Sequence, residues 1–181
     1  MNTAVSKIPF VADGETFSVG GVEFIKFPEL NGTVPAVAKD ILFSSRFGND
    51  NDLRRSDILK KLEKEFLPGI MDAVGEENLC LTKTDLTCLD GLKPYGELES
   101  LVSLPTLGFY RDNVEVFDKY PVDRWWWLAT PESARPHDAP GWVLCVAPSG
   151  CVCSDDYCNF VNYGVRPFLS FNSSIFESST Q

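Results

Sequence analysis

A dense aromatic run, DRWWWLATP at residues 123–131, constrains the fold of this chain more than any other stretch. Three consecutive tryptophans followed by apolar residues predict a strand with large apolar side chains on both faces. A second apolar and β-branched run, NYGVRPFLS at residues 162–170, predicts another strand. The segment between them is rich in Gly, Cys, Asn and Asp and cannot itself supply a core. The two runs therefore predict a rigid aromatic frame that holds an exposed surface of mixed chemistry, as in a binding site.

Alternation along the first strand assigns its side chains to faces. Trp126 and Leu128 share one face, and Trp125 and Trp127 share the other, since successive strand residues point to opposite sides. We expect most of these side chains to lie in the core. Tryptophan is also enriched at binding surfaces, so exposure of one of the three stays open.

Two arginines lie beside these apolar runs. Arg166 is inside the second run, directly after Val165, so we expect a buried guanidinium paired with carboxylates or carbonyl oxygens. We expect the same structural role for Arg124.

Length and composition limit the classes of protein to which the chain can belong. We expect a single domain over residues 1–181, with its core at 18–171 and a polar tail at 172–181. Within that tail, Ile175 and Phe176 are the only large apolar residues, and we expect them to hold its start against the domain. Hydrophobic residues make up 44% of the chain, which argues against disorder.

Charge and hydropathy restrict the partners. The net charge is −10, and an acidic chain repels phosphate backbones, so we expect no nucleic-acid partner. No apolar run approaches the roughly twenty residues that a membrane span needs, and residues 1–12 lack the pattern of a signal peptide. We therefore expect no membrane insertion. Virion-associated and cytoplasmic locations both stay open, as does assembly into a homo-oligomer.

Periodicity predicts the other elements. Residues 17–27 alternate around a Gly-Gly pair and predict a strand hairpin, and residues 36–43 predict a further strand. Residues 44–52 predict a loop, and residues 113–120 a short helix or turn.

The clearest helix is predicted over residues 53–66. Asp52 or Ser56 can cap its start. Ile58, Leu59, Leu62 and Phe66 recur at helical spacing and form one apolar face. The Pro68-Gly69 pair is expected to end it.

The cysteines and the one histidine are the residues most able to bind a metal or act in catalysis. Cys145, Cys151, Cys153 and Cys158 cluster within fourteen positions, and a zinc or copper site, a disulfide, or small buried thiols each fit them. The C-x2-C spacing of structural zinc is absent, and we expect neither a metal nor any other cofactor. His137 lies in a proline-rich loop without a neighbouring nucleophile motif, so we expect no catalytic residues.

Four segments carry a family resemblance: DLRRSDILKKLEKEFL at 52–67, WWWLATP at 125–131, VAPSGCV at 146–152 and NYGVRPF at 162–168. Together they resemble a bacterial and phage domain family with a C-type-lectin-like fold. That family is related in fold to formylglycine-generating enzymes and to the variable proteins of diversity-generating retroelements. The resemblance covers residues 18–171 and implies an α+β fold with mostly antiparallel strands and one or two helices.

The sequence lacks motifs that two related groups of proteins use for sugar binding and for catalysis, which restricts the functions that the resemblance implies. The Glu-Pro-Asn, Gln-Pro-Asp and Trp-Asn-Asp motifs of calcium-dependent sugar-binding lectins are absent. Formylglycine-generating enzymes end in Gly-Phe-Arg-Cys, whereas residues 164–167 read Gly-Val-Arg-Pro, with proline in place of that cysteine. These differences argue against a calcium–sugar site and against the copper oxidase, which stays the enzymatic alternative. A structural assembly module is a third reading.

The predicted ligand surface lies in the mixed segment between the two strands. Aromatic side chains there supply contact area at low entropic cost, and Asn and Asp supply adaptable hydrogen bonds. In the variable proteins this C-terminal region is diversified, and its composition here matches that pattern. We expect a non-enzymatic protein that binds a protein or cell-surface ligand, as at a phage tail-fibre tip. The expected ligand-binding residues are Trp142, Asp155, Asp156, Tyr157, Asn159, Phe160 and Asn162.

Overall fold

The structure, a computed structural model, describes residues 7–135 and 141–178, apart from the side chains of Asp155 and Asp156. Short, mostly antiparallel strands and a few short helices form the described chain, which confirms the predicted α+β class. The strands are β1 (Thr16–Val19), β2 (Val22–Lys26), β3 (Thr33–Ala38), β4 (Phe43–Ser44), β5 (Leu79–Cys80), β6 (Thr82–Asp85), β7 (Glu97–Ser100), β8 (Val102–Ser103), β9 (Trp126–Pro131), β10 (Trp142–Val146), β11 (Val152–Tyr157), β12 (Gly164–Val165) and β13 (Phe168–Asn172). The helices are α1 (Asp57–Lys61), α2 (Leu67–Val74), α3 (Leu107–Asp112) and α4 (Val114–Asp118).

The first sheet has the strand order β1-β2-β3-β13-β5, and β8 also pairs with β13. All of its pairs are antiparallel. The predicted hairpin over residues 17–27 is present as β1 and β2. Gly20 and Gly21 form its turn with φ of 58° and 79°, a backbone that suits the twist of a two-residue hairpin and that other residues adopt at a cost.

The second sheet contains the tryptophan strand and has the order β11-β10-β9-β12-β4. Its pairs are antiparallel except for β12 against β9, which run parallel with Gly164 opposite Trp126. Residues 126–131 of the first apolar run and residues 164–165 of the second are therefore neighbours in one sheet, whereas residues 168–170 of the second run belong to β13 in the first sheet, so the prediction of a single strand over 162–170 is wrong. The prediction that the segment between the two runs supplies no core is also wrong, because residues 143–146 of β10 are buried. A separate two-stranded ribbon joins β6 and β7.

Trp126 and Trp127 lie on opposite faces of β9, and both are fully buried. Trp126 and Leu128 belong to one apolar cluster, whereas Trp127 and Ala129 belong to another. This confirms the predicted assignment to faces and shows that the second sheet is covered on both sides. Trp125 is only half-buried, and its ring stacks on that of Tyr163 with centroids 5.8 Å apart.

The helical region after residue 52 is longer than predicted. Asp52 caps a 3-10 turn at Leu53–Arg55, and Ser56 caps α1, so both predicted caps are used. A π turn then spans Leu62–Phe66, and α2 continues beyond it.

The prediction that Pro68-Gly69 ends this helix is wrong, because α2 runs through both residues to Val74. The Leu67 N–H donates to the Leu62 carbonyl, one residue further back than in an α-helix. This wide turn relieves the clash that the Pro68 ring would otherwise make with the preceding turn. The helix ends instead at Gly75, whose φ of 83° suits glycine.

The two arginines differ, and the prediction is right for only one of them. Arg166 is 1% exposed and donates from Nε to the Ala38 carbonyl at 3.0 Å and from Nη2 to the Lys39 carbonyl at 2.8 Å. Arg124 is exposed instead, and its Nη1 donates to Ser44 Oγ at 3.2 Å. The expectation of a buried, structural Arg124 is therefore wrong, because Arg124 precedes β9 and its guanidinium reaches Ser44 in β4, an edge strand of the sheet.

The two ends of the described chain meet. The Ile8 N–H donates to the Ile175 carbonyl at 2.8 Å, and Ile175 is buried. The Phe176 ring packs edge-on against Phe17, with centroids 5.1 Å apart. The prediction that Ile175 and Phe176 hold the start of the C-terminal segment is confirmed. No helix among the described residues is long and apolar enough to cross a membrane.

Candidate ligand surface

The predicted ligand residues gather where the β10–β11 hairpin opens. Trp142, the first residue of β10, is paired in register with Tyr157, the last residue of β11. Their rings meet edge to face with centroids 6.2 Å apart. The Tyr157 ring lies directly over Gly141, where an added Cβ would be 2.9 Å from Tyr157 Cε1. A glycine at position 141 thus lets the tyrosine ring lie against the backbone.

The segment that follows β11 is held by the backbone of Cys158. The Cys158 carbonyl accepts hydrogen bonds from the N–H groups of Phe47 at 2.7 Å and Gly48 at 3.2 Å. The Cys158 N–H donates to the Gly141 carbonyl at 2.5 Å. Its thiol is buried, and desolvation raises the pKa of Cys158. A buried residue with three backbone hydrogen bonds therefore fixes the path of the chain between exposed neighbours.

Large side chains project outward on both sides of that fixed residue. Tyr157 is 49% exposed, Phe160 45% and Val161 60%. Asn159 and Asn162 are also exposed. Side chains of this size at such exposure are common at interaction surfaces, where aromatic groups carry much of the binding energy.

The exposed segment rests on an aromatic stack. Phe160 contacts Tyr163 with ring centroids 5.7 Å apart. Tyr163 in turn contacts Trp127 at 4.6 Å and stacks on Trp125 at 5.8 Å. Trp127 is fully buried and its Nε1 donates to the Ser45 carbonyl at 2.9 Å. The aromatic frame thus continues from the core to the surface, and its exposed end is Phe160.

A groove of about 350 Å³ runs beside Tyr157. We call it the Tyr157 groove; it is lined by Arg46, Gly48, Asn49, Gly141, Tyr157, Cys158 and Asn159. The Arg46 Nε contacts Asp57 Oδ2 at 2.6 Å, while about two-fifths of the Arg46 side chain is exposed. The groove therefore offers a cation, amide groups and an aromatic ring to a ligand.

One wall of the groove was not predicted as part of the site. Residues 44–52 were predicted to be a loop, which is right except that Ser44 closes β4, but Arg46 and Asn49 were not linked to the ligand surface. The link depends on the hydrogen bonds of Phe47 and Gly48 to Cys158, across more than one hundred residues of chain. The sequence signal for it is weak, a Gly-Asn-Asp cluster that predicts a loop and nothing about its neighbours.

Asn51 is a second residue that sequence reasoning missed. It is fully buried, and its Nδ2 donates to the Ser133 carbonyl at 2.8 Å and the Trp142 carbonyl at 3.0 Å. Its Oδ1 accepts from the Tyr95 hydroxyl at 2.7 Å. Asn51 therefore holds the start of β10, and with it Trp142, against the loop that forms the groove wall.

Trp142 itself is only partly exposed. Its indole Nε1 is enclosed and donates no hydrogen bond within the described part of the chain. Asp155 and Asp156 lie in β11, with Asp156 in register with Val143, but their side chains are outside what the structure describes. Of the five predicted residues whose side chains the structure describes, Tyr157, Asn159, Phe160 and Asn162 are exposed.

The cysteine cluster is dispersed by the fold. Cys80, Cys88, Cys151 and Cys158 are free thiols. Cys145 and Cys153 face each other in register across β10 and β11, Cys151 is exposed, and Cys158 is buried behind the groove. Over residues 7–135 and 141–178 no group of three or more His, Cys, Asp or Glu side chains is placed to hold a metal ion. His137 lies outside the described residues.

Comparisons with known proteins return no match: no family model, curated protein or solved structure is similar to this chain.

Proposed function

We propose that this chain is a non-enzymatic recognition domain of the C-type-lectin-like kind, which binds a protein or cell-surface ligand through Tyr157, Asn159, Phe160 and Asn162. Trp142 and the Tyr157 groove would border this surface, with Asp155 and Asp156 beside it. One observation supports the proposal above the others: exposed aromatic and amide side chains flank Cys158, whose N–H and carbonyl are both hydrogen-bonded to other parts of the chain.

The physical advantage of this arrangement is preorganisation. A binding loop that is already ordered loses little conformational entropy when a partner docks, so more of the contact energy appears as affinity. Aromatic side chains add contact area with only two rotatable bonds each, and Asn side chains can donate and accept. Trp127, Tyr163 and Phe160 extend that rigidity from core to surface.

The same arrangement suits a diversified surface. Exposed positions can change side chain without altering the core, whereas buried or sterically restricted positions cannot. We therefore expect sibling proteins to vary at 157, 159, 160 and 162 and to keep Gly141, Cys158 and Gly164. We also expect the encoding locus to carry a reverse-transcriptase gene and an imperfect copy of the 3′ end of this gene.

The direct test is a binding assay with matched variants. Wild-type protein is screened by biolayer interferometry against intact bacterial cells and purified surface proteins and glycans. The Tyr157→Ala/Phe160→Ala double variant should then lose about thirtyfold or more in affinity for each target found, because exposed aromatic residues dominate such interfaces. A Leu30→Ala/Leu81→Ala double variant is the control, since both leucines are exposed but belong neither to the β10–β11 hairpin nor to the lining of the Tyr157 groove.

Two results would contradict the proposal. One is a double variant that unfolds at the same temperature as wild type and binds every target equally well. The other is uptake of oxygen by copper-loaded protein in the presence of a cysteine-containing peptide, which would favour the oxidase alternative.

A further inference from the structure

A second cavity, of about 310 Å³, lies at the opposite end of the β10–β11 hairpin from the Tyr157 groove. Its floor is aromatic, and its mouth is formed by the turn that joins β10 to β11, at residues 147–150. We call it the Arg166 cavity; its wall includes Tyr110, Phe117, Asp118, Tyr120, Trp126 and Arg166. The volume is at the lower end of the roughly 300–1,000 Å³ that is usual for small-molecule sites.

Arg166 is a buried cation that makes no direct ion pair among the described residues. In that part of the chain its hydrogen-bond acceptors are the carbonyl oxygens of Ala38 and Lys39. None of the ion pairs among the described residues includes it. Burial lowers the pKa of Arg166 to about 10, although Asp40 and Tyr110 act in the opposite direction. A buried cation that makes no direct ion pair is costly, so the site gains if an anion joins it.

The guanidinium keeps donors that can reach such an anion. Its Cζ lies 4.9 Å from the ring centroid of Trp126 and 5.3 Å from that of Phe117, both on the cavity wall. Nη1 donates no hydrogen bond among the described residues. The one side-chain nitrogen or oxygen there that is both enclosed and unpaired is Trp142 Nε1. The Arg166 Nη1 therefore retains solvent contact, and the Arg166 cavity supplies it.

One hydrogen bond joins the β10–β11 turn to Tyr110 across the wall of the cavity. The Tyr110 hydroxyl donates to the Gly150 carbonyl at 2.9 Å, and desolvation, followed by Asp118, raises the pKa of Tyr110. Gly150 has φ of 82°, so a side chain there would be strained. The Asp118 carboxylate is exposed beside it. The Asp118 carboxylate repels a dianion such as phosphate about twice as strongly as it repels a monoanion at the same distance.

We infer that the Arg166 cavity binds a small aromatic or planar carboxylate, with the Arg166 guanidinium as its counter-ion and the rings of Phe117 and Trp126 beside its planar body. The positively charged guanidinium favours a ligand with a negative charge, because a hydrogen bond between two charged groups is strong. The aromatic wall favours a ligand whose remaining atoms are apolar. This site is separate from the proposed recognition surface and does not depend on it.

Benzoate is the probe, and benzamide, which has the same shape without the charge, is its control. Binding is followed by isothermal titration calorimetry and by the NMR signal of the Trp126 indole N–H. We expect saturable binding of benzoate that shifts the Trp126 signal. Benzamide should bind at least tenfold more weakly, because its neutral amide can accept a hydrogen bond but cannot form an ion pair with the guanidinium. Inorganic phosphate should bind more weakly than benzoate.

Three variants and one control variant distinguish binding in the cavity from unspecific binding. Asp118→Asn should tighten benzoate binding by about two- to fivefold, the size of an exposed charge interaction, while Asp72→Asn on the exposed face of α2 should leave it unchanged. Ser149→Phe should block the mouth and abolish binding without touching Arg166. Arg166→Gln should weaken binding by about ten- to a hundredfold if the variant folds.

The other outcomes overturn the inference. Equal affinity for benzoate and benzamide would show that Arg166 does not act on the ligand. Absence of saturable benzoate binding, or binding that neither Asp118→Asn nor Ser149→Phe alters, would show that the cavity is not the site. Because these two variants leave Arg166 in place, failure of Arg166→Gln to fold does not weaken the test.

Discussion

At the scale of single residues, close packing against glycine decides which positions tolerate change. Gly164 begins β12 opposite Trp126, and an added Cβ there would lie 2.5–2.8 Å from three side-chain atoms of Ile41. Gly69 is the contrasting case, since it lies inside α2 and an added Cβ would meet nothing within 4 Å. The structure therefore requires a glycine at position 164, where a Cβ has no space, but it shows no such requirement at position 69.

We predict that Gly164→Ala lowers the free energy of unfolding by about 1–3 kcal/mol, the usual cost of overpacking. Gly69→Ala should raise it by about 0.5–1 kcal/mol, because alanine favours a helix interior. Urea denaturation measures both. A Gly164→Ala/Ile41→Val double variant should recover part of the loss, and a loss that is unchanged by the second substitution would show that Ile41 is not the obstacle.

Asp85 gives a prediction for pH dependence. Its Oδ1 accepts hydrogen bonds from the Thr87 hydroxyl at 2.5 Å and the Thr87 N–H at 2.9 Å, and these bonds lower the pKa of Asp85. A carboxylate whose pKa is lower in the folded chain stabilises that chain above its unfolded pKa of about 3.9. This contribution disappears as the pH falls through the folded pKa.

We therefore predict that Asp85→Asn, which keeps an acceptor oxygen but removes the charge, is less stable than wild type at pH 6. The difference should shrink below pH ~3.9 and vanish at lower pH. Thermal unfolding across this range measures it. A difference that is constant with pH would mean that the charge of Asp85 does not matter.

At the scale of elements, the helical region shows how local signals combine. Asp52 caps the 3-10 turn and Ser56 caps α1, so each of the two cap residues in the sequence marks the start of its own helical segment. The π turn at Leu62–Phe66 then joins α1 to α2 and lets the chain continue through Pro68. Proline is a strong signal for a helix boundary, but a wide turn immediately before it can override that signal.

Ser56 tests the contribution of the cap. Its Oγ accepts the Leu59 N–H at 2.9 Å, and the residue is buried. Ser56→Ala should destabilise the chain by about 1 kcal/mol, while Ser56→Thr, which keeps the hydroxyl, should retain most of the stability. Chemical denaturation followed by far-UV circular dichroism makes the comparison, and equal losses for the two variants would indicate a packing effect instead of a cap.

At the scale of the whole molecule, buried polar residues join segments that are distant in sequence. Asn51 connects residues 95, 133 and 142 through its side-chain amide, and Cys158 connects residues 47, 48 and 141 through its backbone. Together these residues bring the groove wall to the end of the β10–β11 hairpin. The ligand surface is thus a product of tertiary contacts between loops that carry no motif of their own.

We predict that Asn51→Asp destabilises the chain by about 3 kcal/mol or more. An ionised aspartate cannot donate to the carbonyls of Ser133 and Trp142, and it adds a buried charge. Asn51→Ala should cost less than Asn51→Asp, since it adds no charge. Denaturant unfolding measures both, and an aspartate variant as stable as the alanine variant would show that the site admits water.

Apolar pattern alone predicted the first hairpin, the tryptophan strand with the faces of Trp126 and Trp127, the start of the first helix with its caps, and the burial of Arg166, because burial and backbone geometry act at short range in the chain. It misassigned the helix end at Pro68-Gly69 and the environment of Arg124, because each depends on one local hydrogen bond or one strand register. It also missed the buried strand at 142–146 and the division of residues 162–170 between two sheets, because strand pairing is decided by distant parts of the chain. Only the tertiary structure decided that Arg46 and Asn49 face Tyr157, that Asn51 holds Trp142, and that Arg166 borders a cavity. Those contacts join residues far apart in sequence, and a periodicity that repeats every two or 3.6 residues carries no information about them.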